Sequence, residues 1–250
     1  MINSYSPLCD GFCLDMSIGT ELDLPSERDT VLTFFERIKK QFPAMGNFHR
    51  RDNGDFSLSE DRHGERYRWV ALEIDRICSA CADPTDLDDA YNLHSLVLEI
   101  APYMLGLSPL DVSWLDIIFT MDFDYKGNHN EVIADVFFNS TAFNSIIDLP
   151  GAKAMGCSPT LLVALSDDCR LQARIGIASR TTVYDVRNQN YKADEPISLY
   201  CTIRRYPDPD TNFDIAGSFG EQSRIAHQLM DERIIPNFVK PLTNAIAQRR

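Results

Sequence analysis

The sequence contains no uncharged apolar stretch of the roughly 18 residues needed to cross a bilayer. Its most apolar segments, around 93–107 and 161–165, are too short or are interrupted by polar residues. No membrane partner is therefore expected. Basic residues are also scarce: 24 Lys and Arg stand against 37 Asp and Glu, giving a net charge of −13 and a pI near 4.7. Such a chain lacks the cations that grip a phosphate backbone, so nucleic acid is not an expected partner. Residues 1–10 carry no basic residue and no apolar run, which argues against a signal peptide and for a cytoplasmic protein.

Motifs of catalysis are missing too. There is no GxSxG, P-loop, GxGxxG or HExxH. None of the five histidines, His49, His63, His94, His129 and His227, lies four residues from another. No catalytic residue and no cofactor is nominated, and the reading leans away from an enzyme. Two Asp-rich loops, 122–127 and 208–214, fail the calcium-loop pattern. The first has Lys126 at a ligand position and the second has Phe213 where Gly is required. Both read as solvated turns.

The seven cysteines are odd in number and follow no export signal, so most of them read as reduced, buried small hydrophobes. Cys78-Ser79-Ala80-Cys81 forms a CxxC, but it ends a predicted strand instead of opening a helix, where a dipole would lower a thiol pKa. Zinc would need a second pair, which Cys9 and Cys13 could supply. Cys78 and Cys81 are thus weak metal candidates, and two buried thiols are the favoured reading.

What is present is a pattern of strands and helices with 44% hydrophobic residues and no flexible linker. Residues 11–22 alternate as a strand, with Phe12, Leu14, Met16 and Ile18 on one face. Ser26 and Asp29 suggest a helix cap, followed by the stripe Val31, Phe34, Phe35, Ile38 and a stop at Pro43. Strands are expected over 48–59 and 67–78, joined by the polar turn 61–65. A helix capped by Thr85 and Asp88 should then run to Gly106, followed by a strand over 112–123. This order, βαββαβ, is ferredoxin-like.

The second half partly repeats the first. Leu14-Asp15-Met16-Ser17-Ile18 resembles Leu115-Asp116-Ile117-Ile118-Phe119, and Asp23 and Asp124 fall at the same offset. Residues 129–139 fit either element: Val132, Ile133, Val136 and Phe137 suit a helix, which is favoured, and Val132, Ala134, Val136 and Phe138 suit a strand. Strands are expected at 160–166 and 170–179, joined by a tight hairpin at Asp167-Asp168, and again at 181–187 and 197–205. A long helical region starts near Phe219, with Pro236 and Pro241 placed to kink or break it. The expected fold is α+β: two ferredoxin-like halves, 1–108 and 109–250, each a mostly antiparallel sheet covered by helices. The halves could join edge to edge or pack face to face.

The helix 34–43, the Trp-bearing strand 67–74 and the C-terminal helical region with His227 and Phe238 resemble a sporadically distributed family of uncharacterised bacterial proteins of similar length. The similarity is one of layout, and it implies no activity.

Two basic-aromatic clusters are the remaining candidates. Arg62, Arg66 and Arg68 surround Tyr67 and Trp69, while Arg204 and Arg205 precede Tyr206. They could bind an anion or a carboxylate, or guard a sheet edge, which is favoured. The expected function is a non-enzymatic interaction or binding protein, with free sheet edges and a homodimer or another protein as partner. The alternative is a small-molecule-binding protein or enzyme with a pocket between the halves. Its candidate residues are Tyr67, Trp69, His94, Asp116 and Arg204.

Overall fold

The computed structural model describes residues 2–61 and 66–249. Among these, nine strands form one antiparallel sheet. They are β1 (Gly11–Thr20), β2 (Asn47–Arg50), β3 (Phe56–Ser59), β4 (Tyr67–Leu72), β5 (Arg76–Ala82), β6 (Val112–Phe123), β7 (Thr160–Ala164), β8 (Leu171–Ala178) and β9 (Ile197–Arg205). Their spatial order is β2-β3-β4-β5-β1-β6-β9-β8-β7.

The centre is the long pairing of β1 with β6, so the sheet runs without a break across residue 108. Leu14 and Leu115 are 101 positions apart, as are Asp23 and Asp124. The same offset relates Met16 to Ile117, and these two residues lie directly opposite each other in the β1–β6 ladder. On either side the last strand of a meander pairs with the first strand of its half: β5 with β1, and β9 with β6.

Period-two alternation gives the sheet two different faces. One face carries Phe12, Leu14, Met16 and Ile18 of β1 and Leu115, Ile117, Phe119 and Met121 of β6, all buried. Each such side chain contributes about 1.5–3 kcal/mol when fully buried. Helices α1 (Arg28–Gln41), α2 (Leu87–Met104) and α6 (Ile215–Leu229) cover this face. Phe35 of α1 meets Phe48 edge to face at 5.5 Å. His94 of α2 hydrogen-bonds Ser79 of β5 at 2.7 Å. Gln222 of α6 donates to the carbonyls of Leu115 and Ile203, 2.8 Å each. His227 accepts or donates at both ring nitrogens, with Tyr5 and Tyr91 hydroxyls at 2.7 Å, which ties the N-terminal segment to α2 and α6.

Several sequence expectations change in the structure. The expected strand 48–59 is the hairpin β2–β3, because Gly54 at φ +96° turns the chain. The expected strand 67–78 is the hairpin β4–β5. Its turn has no glycine, and backbone hydrogen bonds hold it in place, from Leu24 to Ile74 O and from Thr20 to Asp75 O. A four-strand meander, β2 to β5, thus stands where two strands of a ferredoxin-like half were expected. Of the turn expected at 61–65, residues 62–65, with Arg62 and His63, lie outside the described residues.

The expected strand 181–187 is instead the helix α5 (Val183–Asn188). Thr182 and Asp185 form a reciprocal capping box that frees the segment from the sheet. The hairpin at Asp167-Asp168 is a longer loop closed by Cys169 at φ +59°. Glu27 and Asp86, not Ser26 and Thr85, are the helix N-caps. Residues 129–137 form a helix, α3 (His129–Phe137), and a short α4 (Asn144–Ile147) follows it. Pro236 does not break the C-terminal helical region. It lies within a π-helical stretch, Met230–Val239, that continues into α7 (Lys240–Ala247). A wider turn tolerates the missing proline donor and the ring that would crowd an α-helical carbonyl. Among the described residues, no helix is long and apolar enough to cross a membrane.

Candidate ligand-binding face

The sheet's other face is where polar chemistry gathers. Registers place its side chains in straight rows across the strands. One row runs Trp69, Ala80, Asp15, Ile118, Thr202, Arg174 and Leu162, from β4 to β7. The next runs Ala71, Cys78, Ser17, Asp116, Arg204, Gln172 and Ala164.

Asp116 and Arg204 are therefore direct cross-strand neighbours. Arg204 donates from Nε to Asp116 Oδ1 at 2.7 Å and from Nη2 to Oδ2 at 2.6 Å, a bidentate fork. The Asp116 side chain is 4% exposed. Burial pushes its carboxyl pKa up, and Arg204 opposes that. The hydrogen bonds to Asp116 in turn raise the guanidinium pKa. Trp114 supports the pair from below. Gly19 lies opposite Trp114 in the ladder, and a Cβ there would come within 2.5 Å of the indole. The missing side chain lets the ring approach β1 closely at Gly19, and the Arg204 guanidinium lies over the ring, 4.3 Å from its centroid. The Tyr206 hydroxyl accepts from Arg204 Nη1 at 3.3 Å.

A hollow of about 360 Å³ opens over this platform, with Ser17, Arg76, Gln172 and Tyr206 among its walls. A second, of about 340 Å³, adjoins it and is lined by Thr160, Gly176 and Tyr200. Ile118, Arg174 and Thr202 line both, so the two form one groove. Arg174 is exposed at its middle and, among the described residues, has no hydrogen-bond or ion-pair partner. Ser17 and Arg76 come from the first half of the chain and the other lining residues from the second.

The face also carries Asp15. Burial lifts its carboxyl pKa to about 7, against a hydrogen bond from the Cys13 thiol. Asp15 is the counterpart of Asp116 at the 101-residue offset, yet it lies between Ala80 and Ile118 where Asp116 has Arg204.

The five residues proposed from sequence separate into three places. Asp116 and Arg204 form the platform. Tyr67 and Trp69 line a third hollow on the same face, about 490 Å³, with Asn47, His49 and Arg51. Its nearest wall, β4, lies about 19 Å from the strand of Arg204, four strand spacings away. His94 is not on this face at all. It projects from α2 into the core on the helix side of the sheet, fully buried, and burial holds its pKa down at about 3.

The edge-guard reading of the arginines also changes, because β4 and β9 are interior strands. Arg68 points to the helix side, pairing with Glu60 at 3.1 Å and stacking over Phe42 at 5.2 Å. Arg205 pairs there with Glu221 at 2.6 Å.

Cys78 and Cys81, three apart on a strand, face opposite sides of the sheet and cannot share an ion or a disulfide. Burial pushes both thiols up to about 11. Among the described residues, no three His, Cys, Asp or Glu side chains are grouped so as to hold a metal.

Sequence reasoning missed Trp114, Gly19, Arg76 and Arg174 as site residues. Arg174 was legible in part, since Gln172, Arg174 and Gly176 mark the wet face of an alternating strand. No protein-family model matches the chain, and no curated protein is significantly similar to it.

Proposed function

We propose that the chain is a non-enzymatic binding protein that holds an organic anion in the groove over β6, β9, β8 and β7. The observation that carries this reading is the free guanidinium of Arg174 between two adjoining hollows, beside a cation–aromatic platform already held rigid. A carboxylate or phosphate would meet Arg174. Ile118, Leu162, Tyr200 and Tyr206 would receive an apolar or aromatic body. The groove has the size of a small-molecule site.

Binding without turnover fits the chemistry of the face. Asp116 is locked by Arg204, and the Cys13 and Cys78 thiols are held protonated. Internal duplication belongs to the same reading, supported by the 101-residue offset that pairs Met16 with Ile117. So does a reducing compartment, which suits seven free thiols.

The test uses 8-anilinonaphthalene-1-sulfonate, an aromatic anion whose fluorescence reports binding. Saturable one-to-one binding is expected, weakened about tenfold or more by Arg174→Ala, as for loss of a charge-assisted contact. Arg51→Ala, in the hollow beside β2, should leave it unchanged. Equal binding by the wild type and Arg174→Ala would refute the assignment.

A further inference from the structure

The two edges of the sheet are unlike. At one end β2 closes with Arg50 and runs on into Arg51 and Asp52, charges of the sort that discourage strand pairing. At the other end β7, Thr-Leu-Leu-Val-Ala, has none. Its inner pairing uses Pro159 and Leu165, with Ile177 donating to Pro159 O and Leu165 donating to Leu171 O. By antiparallel alternation, Leu161 and Val163 then bond inward. Thr160, Leu162 and Ala164 present their N–H and C=O groups outward. Among the described residues those three amides have no backbone partner.

The side chains are exposed as well. Leu161 and Leu162 are 58% and 59% exposed, and Phe143, Ile146, Leu149 and Met155 in the preceding segment are also exposed. Within 136–166 the only charged residues are Asp148 and Lys153, in a chain that is 24% charged.

We infer that β7 is the site where a second copy of this chain pairs, antiparallel and edge to edge, about a twofold axis at Leu162. An extended strand paired with itself in this sense is self-complementary. Leu162 faces its own counterpart, and Thr160 faces Ala164 of the other copy, so every outward donor and acceptor of β7 is used. The charge distribution favours a second copy over an unrelated partner. Two molecules that each carry −13 must meet where that charge is absent, and this edge is the neutral one.

Sedimentation equilibrium of the full chain tests the inference. The wild type should weigh twice its 28.4 kDa monomer mass. Leu162→Pro removes only an outward N–H, which an edge strand tolerates, and should give a monomer with unchanged circular dichroism. Leu162→Lys leaves the backbone alone and should also give a monomer, while Phe48→Lys on β2 stays dimeric. A wild type that remains monomeric at its highest soluble concentration overturns the inference. So does a dimer that survives both Leu162 variants.

Discussion

Replacing Asp15 by Asn should change how stability depends on pH in a way set by two groups of opposite sign, the half-buried Asp15 and the fully buried His94. Asp15 titrates near 7 in the folded chain against 3.8 as a free carboxyl, because burial penalises its charge. Between those values the folded state keeps a proton that the unfolded state has released. Stability is therefore lost as pH rises through this window. A shift of about 3 units, at about 1.4 kcal/mol each, makes ionised Asp15 cost roughly 4 kcal/mol at about pH 8.

His94 runs the other way. It titrates near 3 in the core against 6.5 when free, so the unfolded state gains a proton that the folded state refuses. That contribution is lost as pH falls through its window. From about pH 4 to about pH 6.5 the two slopes, each near 1.4 kcal/mol per pH unit, oppose and cancel. The wild type should show a plateau there. Asp15→Asn should uncover the His94 slope, losing about 1.4 kcal/mol per unit of acidification. Asp116 and Asp122 are raised by burial, and His129 and His227 lowered by it, so they modify both curves. The difference between variant and wild type isolates Asp15. It should grow from near zero at about pH 4 to roughly 4 kcal/mol at about pH 8. Urea unfolding across the pH series measures it. A difference that stays constant with pH would mean that Asp15 is ionised throughout, and the argument would fail.

Two further substitutions probe the platform. Gly19→Ala drives a methyl into the Trp114 indole and should cost about 1–3 kcal/mol, as overpacking does, with a shift in tryptophan emission. Unchanged stability and emission would show that the ring does not lie on β1. Arg204→Ala strands the nearly buried Asp116 carboxylate and should cost about 3 kcal/mol or more near neutral pH. Adding Asp116→Asn should recover much of that loss. A double variant no more stable than Arg204→Ala would refute the role of the pair.

Elements with strong periodicity were legible in the sequence. β1, β6, β8 and β9 follow from alternating apolar residues, and α2 follows from its stripe and the glycine after its end, Gly106 at φ +70°. The hairpin turn at Ile74-Asp75 was not legible, since it carries no glycine or proline and is held by contacts from Thr20 and Leu24, some fifty residues earlier. The helix α5 was hidden because Val183 and Val186 favour a strand locally, and a cap two side chains wide outweighs them. At the site, Asp116 and Arg204 were found from residue type alone. Their partner Trp114 was not, because its place depends on a glycine 95 positions away that only the β1–β6 register brings beneath it. His94 looked like a ligand group for want of knowing which face of the sheet α2 covers.

The two aspartates at the seam show why a binding site would sit to one side of it. Position for position, Asp15 and Asp116 occupy equivalent places on the same face. Beside Asp116, β9 supplies an arginine. Beside Asp15, β5 supplies Ala80, which is fully buried and has no charge to offer. The first carboxylate is neutralised by a fork of hydrogen bonds and anchors a cation on an aromatic ring. The second is neutralised by keeping its proton. One half of the floor thus holds fixed charge next to the free guanidinium of Arg174. The other half turns nearly apolar whenever Asp15 is protonated, so an anion in the proposed groove would meet attraction on the β9 side and no competing carboxylate across the seam. Above about pH 7 that balance reverses as Asp15 ionises, and anion binding in the groove should weaken with it.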